Sequence, residues 1–183
     1  RSVAINVIEQ IEVILIDGDP SREWLRGETD FLKLALTPFV ENAGKGNTNS
    51  DMKDLIKATT IPMDQFKKME QLSGARLVVL ANVKNLESTV AQGLSSFVEN
   101  GGGLLICAGN QIDPTWYKEN WGLKGSGFLP MPILGEKGDL RNELSFKKIS
   151  STYFEHPALS MFNDPRNGRL SEARIKKWIH LDE

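Results

Sequence analysis

The chain has 183 residues, of which 40% are hydrophobic and 25% charged, the size and balance of one globular domain able to bury a core. Its formal net charge of −2, with basic residues scattered apart from pairs such as Lys67-Lys68, Lys147-Lys148 and Lys176-Lys177, supplies no field to gather nucleic acid or coat an anionic membrane. One cysteine excludes an internal disulfide and any multi-thiolate zinc site, and no apolar run approaches the ~20 residues of a spanning helix.

Residues 2–7 alternate and read as a short strand, with 1–10 the tail of a preceding domain. Residues 13–16 are continuously apolar and end at Asp17-Gly18-Asp19-Pro20, a fully buried strand entering a loop. Residues 28–36 place Phe31, Leu32, Ala35 and Leu36 at helical spacing, and Pro38 stops the helix. Residues 42–50 are a Gly/Asn/Ser/Thr-rich loop. A weaker strand is expected over 52–59. A helix then runs from Pro62 to about Leu72, with Met63, Phe66 and Met69 on one face.

Ala75–Ala81 (ARLVVLA) is the second buried strand. Leu86, Val90, Leu94, Phe97 and Val98 form a helical stripe that Gly101 caps. The third buried strand covers 104–107. Beyond it the pattern weakens: a short helix at Pro114–Asn120, a Gly/Pro-rich stretch 122–138, a strand near 144–149 and another near 175–181. Strand, helix, strand, helix, strand with short loops predicts parallel pairing with right-handed crossovers. The fold class expected is α/β, a flavodoxin-like three-layer sandwich with a central, mostly parallel sheet. Residues 11–183 read as a single domain. A start at Arg1 and an end at Glu183, just after an apolar run, read as a piece of a longer protein.

Ile106-Cys107-Ala108-Gly109-Asn110-Gln111 resembles the G-I-C-x-G-x-Q nucleophile elbow of class I glutamine amidotransferases. VILIDGDPSREWLRGETDFLKLAL, LVVLANVKNLES and FVENGGGLLICAGNQID are together similar to the amidotransferase-like domain of large BatA-type bacterial membrane proteins, found in operons with von Willebrand factor A domains. The resemblance covers roughly residues 2 to 178. It implies a class I amidotransferase-like fold, generally without assigned activity, in a membrane-associated and extracytoplasmic setting; no cofactor is assigned. The partners it implies are other domains of a parent chain or other proteins, with the membrane reached only through flanking segments.

The catalytic reading is a cysteine-dependent amidohydrolase or amidotransferase using Cys107 and His156. A thiolate attacking an amide needs a nearby base, an acid to orient that base, and N–H donors for the oxyanion. The elbow also needs small residues two positions either side of the nucleophile. Gly109 meets that need, whereas Leu105 stands where the family has Gly. In Glu155-His156-Pro157-Ala158, Ala158 stands where the family's His-Pro-Glu pattern has its acid. The expectation is therefore a non-catalytic domain, with Cys107 a small buried hydrophobe and His156 capping a turn. His180 is expected to be structural or exposed.

Asp17 and Asp19 also admit a D-x-D magnesium reading, but no acid follows Cys107 until Asp113. They are taken as groups that satisfy loop N–H donors, and no metal site is assigned. Gly101-Gly102-Gly103 precedes its strand instead of opening a helix, so it lacks the geometry of a nucleotide fingerprint. In an open parallel sheet the ligand crevice lies beyond the carboxyl ends of the strands. The binding candidates there are Asp17, Asp19, Ser21, Asn82, Lys84, Gly109, Asn110, Gln111 and Trp116. The nearby Trp116, Tyr117, Trp121, Phe128 and Leu129 are expected to roof the sheet or to anchor a partner.

Overall fold

Two of the three continuous apolar runs, those at 13–16 and 75–81, occupy the middle of a sheet covered on both faces. The structure, a computed structural model, describes residues 10–39, 54–122 and 127–182, in two units, Arg1–Pro132 and Ile133–Glu183. The strand expected at 2–7 and the loop expected at 42–50 lie outside the described residues.

The first unit is α/β. Strands β1 (Ile11–Asp17), β2 (Ile56–Pro62), β3 (Ala75–Ala81) and β4 (Gly103–Cys107) form one parallel sheet in the order β2-β1-β3-β4. As the apolar runs predict, β1, β3 and β4 are neighbours. Val13, Leu15 and Val79 are buried on one face, where Leu32 and Leu36 of helix α1 (Asp30–Leu36) pack against them. Period-two alternation turns Ile14, Ile16, Val78 and Leu80 to the opposite face, and all four are buried there. α1 is only two turns long, so Leu32 and Leu36 fill its inner face and Phe31 is left 65% exposed.

Two elements differ from expectation. No α-helix forms from Pro62 to Leu72: two 3-10 turns, Met63–Gln65 and Met69–Leu72, flank an extended stretch. The spacing of three between Met63, Phe66 and Met69 matches the 3-10 period better than the α period of 3.6. Between the turns, Phe66 is buried, and the Gln71 side chain accepts the N–H groups of Lys67 and Lys68, each at 3.0 Å. The strand expected at 52–59 begins later, at Ile56. Leu55 is 79% exposed ahead of it, and Asp54 ties the loop by accepting the Phe39 N–H at 3.2 Å.

Helix α2 (Ser88–Glu99) buries Val90 and Leu94 of the predicted stripe together with Ala91, while Phe97 and Val98 are half-buried and Leu86 is buried ahead of the helix. Its end is a left-handed turn in which Gly101, at φ 92°, donates to Val98 O and Gly102 donates to Phe97 O. Nothing lies within 4 Å of a Cβ built on Gly101. Gly101→Ala therefore tests backbone conformation alone, and thermal or denaturant unfolding should show a loss of about 1 kcal/mol. A neutral result would mean that the turn does not need glycine.

β4 is an edge strand, not a central one. Among the described residues it pairs only with β3, and its side chains alternate between half-buried and exposed, with Leu105 48% exposed. Helix α3 (Pro114–Asn120) lies where the sequence places it, its N-terminus capped by the Asp113 carboxylate, which accepts from Thr115 N and Trp116 N.

The second unit contains an antiparallel pair, β5 (Ile133–Gly138) and β6 (Lys177–Leu181). β5 falls inside the stretch read as Gly/Pro-rich. The strand expected near 144–149 is a single bridge, Lys147 to Ile175. Asn142 Oδ1 accepts from Leu144 N and Ser145 N, bending the chain into a turn that leaves Leu144 91% exposed.

Candidate functional site

All four strands of the first sheet run the same way, so their carboxyl ends share one edge. Register places Asp17 beside Pro62 on one side and Ala81 on the other, with Cys107 beside Ala81. The loops leaving these ends carry most of the residues singled out in the sequence.

Asn82 holds this edge together. It follows β3 directly, is buried, and sits at φ 52°, a left-handed conformation that asparagine tolerates better than most residues. Its backbone N–H donates to Cys107 O at 2.9 Å. Its side-chain Nδ2 donates to Glu28 Oε1 and to Asn110 Oδ1, both at 2.8 Å. Its Oδ1 accepts the Gln111 N–H at 2.9 Å. One carboxamide thus joins the loop after β1, the end of β3 and the turn after β4.

Two glycines make that junction sterically possible. A Cβ on Gly109 would overlap the Asn82 carboxamide, and one on Gly18 would overlap the Asn82 carbonyl. The Gly18 N–H donates across to Ala81 O at 2.8 Å, so the loop after β1 hugs the end of β3. The glycine expected of a nucleophile elbow is present at Gly109, and here it makes room for Asn82.

Asp17 is buried and fully engaged. Oδ1 accepts from Asp19 N at 3.0 Å, and Oδ2 accepts from Thr29 N at 3.3 Å and Thr29 Oγ1 at 2.8 Å. Thr29 is the N-cap residue of α1, yet its hydroxyl makes no cap bond and turns to Asp17 instead. Asp17 therefore satisfies loop donors, as its position suggested, while Asp19 contributes its backbone N–H and remains exposed. Among the described residues, no three His, Cys, Asp or Glu side chains converge as a metal-ligand group.

The other candidates sit further out. Ser21 Oγ accepts from Glu23 N on the exposed loop. Lys84 is exposed, and its carbonyl accepts the Asp113 N–H. An open cleft of about 320 Å³ is lined by Gly18, Pro20, Met63, Asp64, Lys67 and Lys84, together with Asn85. Trp116 is half-buried and stands edge-on to Tyr117 and Trp121, with ring centroids 5.0 and 5.3 Å apart. Tyr117 and Trp121 are buried, and Tyr117 Oη donates to Val83 O at 3.0 Å. Burial pushes the Tyr117 phenol far up, so it stays a neutral donor.

Cys107 is exposed, contrary to the expectation of a buried thiol; it ends β4, which among the described residues is an edge strand. The chain around the sulfur still removes enough water to raise its pKa, favouring the unreactive thiol. His156 belongs to the second unit, exposed, where its Nδ1 accepts the Ala158 N–H at 3.2 Å. His180 is half-buried on β6, opposite Gly135.

Glu28 and Thr29 were not legible as parts of this edge. Both precede a helix and look like ordinary first-turn residues, and their partners lie 54 and 12 positions away in the chain. The fold and the site together define an α/β domain whose parallel strand ends are closed by a polar junction at Asn82. No protein-family model matches the sequence, and no curated protein or solved structure matches it either.

Proposed function

We propose that this chain is a non-catalytic, class I amidotransferase-like domain of flavodoxin-like, three-layer build. In this reading it serves as a binding or scaffolding module for other domains of a membrane-associated bacterial protein, on the extracytoplasmic side. The observation that carries the proposal is the state of Cys107: at the end of an edge strand, its pKa is raised, whereas an activated nucleophile needs it lowered. His156 accepts the Ala158 N–H at Nδ1, a local turn contact. The Asn82 junction adds support, since it engages the Gln111 N–H of the turn after Cys107 and makes that turn a structural fixture.

The test is reactivity. Because the thiolate is the nucleophile, a thiol with a raised pKa alkylates more slowly than a free one near neutral pH, and its rate keeps climbing at alkaline pH. Native protein should therefore take up iodoacetamide more slowly at pH 7 than the urea-unfolded chain. It should also release no ammonia from glutamine. Rapid stoichiometric labelling of the folded protein, or ammonia release abolished by Cys107→Ala, would establish the amidohydrolase instead.

A further inference from the structure

The two edges of the first sheet are built differently. β2 closes one edge with Lys57, ion-paired to Glu12, and with Pro62 at its end, devices that discourage a further strand. β4 closes the other with GLLIC, inside the stretch 101–109 (GGGLLICAG), which has no charged residue and no proline. It carries no bulge in its pairing with β3.

The hydrogen-bond parity of β4 is set by one contact. Asn82 N–H donates to Cys107 O, so Cys107 turns its backbone groups towards β3, and by alternation so do Leu105 and Gly103. Leu104 and Ile106 then present their N–H and C=O groups outward, where no strand among the described residues meets them. On the sheet face shared by Leu105 and Cys107, both side chains are exposed.

We propose that β4 is a self-association edge. Two copies of the chain pair their β4 strands antiparallel about a two-fold axis at Leu105, giving one eight-stranded sheet. This goes beyond the reading of the domain as a binding module. The parity selects the axis. Centred on Leu105, Leu104 of one copy and Ile106 of the other exchange two hydrogen bonds, and the symmetric pair does the same. The outward groups of both strands are then all paired. Leu105 meets its own counterpart in a non-hydrogen-bonded pair, and Cys107 faces Gly103 of the second copy. An uncharged strand is its own electrostatic match, since self-pairing sets no like charges opposite each other. A second copy thus suits this edge on charge and on register together. A five-residue pairing is small for an interface, so association should be weak, with a Kd on the order of 100 µM.

Sedimentation equilibrium of the 183-residue chain across roughly 10 to 500 µM should show a reversible monomer–dimer equilibrium. Leu105→Lys sets two cations against each other at the axis and should weaken dimerisation at least tenfold, leaving the melting temperature of the dilute monomer unchanged. Register is tested by the double substitution Leu105→Cys with Cys107→Ser. It leaves one thiol per chain, about 4.5 Å from its mate between Cα atoms. Copper–phenanthroline should convert it to a covalent dimer within minutes. In the wild type, four residues at about 3.4 Å each hold the two Cys107 positions roughly 14 Å apart, so the same oxidant should yield no covalent dimer. A chain that stays monomeric throughout overturns the proposal, as does a dimer indifferent to Leu105→Lys or a wild type that crosslinks as readily as the double variant.

Discussion

Replacing Asn82 by alanine should destabilise the first unit by about 3 to 4 kcal/mol, read as a fall in melting temperature of roughly 10 °C. Three side-chain hydrogen bonds disappear, to Glu28, Asn110 and the Gln111 N–H. The left-handed backbone adds about 1 kcal/mol, because alanine at φ 52° brings Cβ against the following carbonyl. Asn82→Gly isolates that second part and should recover about 1 kcal/mol relative to alanine. Asn82→Asp keeps an acceptor for Gln111 but sets a buried carboxylate against Glu28 Oε1 and Asn110 Oδ1. Desolvation and the Glu28 charge would raise the pKa of the introduced acid above its unfolded value. The folded state then binds the extra proton over the window between the two values, so this variant loses stability as pH rises through that window and regains it towards pH 4. Wild-type-like melting of Asn82→Ala would show that the junction does not hold the strand ends together.

The sheet was legible because β1 and β3 are buried on both faces and so are continuously apolar, as VILI and LVVL are. α2 was legible from its stripe, and α3 from Asp113-Pro114, a capping acid before a proline at the first helical position. Edge status was not legible. GLLIC is as apolar as a central strand, and only pairing shows that its outer side has no neighbour among the described residues of the sheet. The stretch after Pro62 misled because a spacing of three apolar residues fits two 3-10 turns as well as a helix. At the strand ends, the candidate positions followed from topology alone. What each one does there depends on tertiary partners: Asn82 reads as a loop residue until Glu28, Asn110 and Gln111 converge on it. The weak tail hid β5, because ILGEKG carries two glycines and, apart from buried Ile133 and half-buried Gly135, is exposed, too little to impose an apolar alternation.

Trp121→Ala should cost about 3 to 5 kcal/mol, the usual range for deleting a large aromatic side chain from a packed site. Trp121 is 1% exposed, with Tyr117 and Phe128 at ring-centroid distances of 5.6 and 5.3 Å and Trp116 edge-on to it. Its backbone N–H is held by Tyr117 O and its carbonyl by the Leu129 N–H at 2.7 Å, so the ring cannot leave without disturbing the segment that follows α3. Trp116 is half-buried and loses less: Trp116→Ala should cost about 1 kcal/mol, mostly the edge-to-face contacts. Tyr117→Phe keeps the ring and removes only the donor to Val83 O, leaving a buried carbonyl unpaired at a cost of about 1 to 2 kcal/mol. The order Trp121 > Tyr117 ≥ Trp116 in denaturant unfolding, each with an unchanged m-value, is what a roof over the strand ends requires. If Trp121→Ala instead melted with the wild type while association with other domains failed, the aromatic cluster would be a docking surface, and its close packing in the isolated chain would not reflect its role.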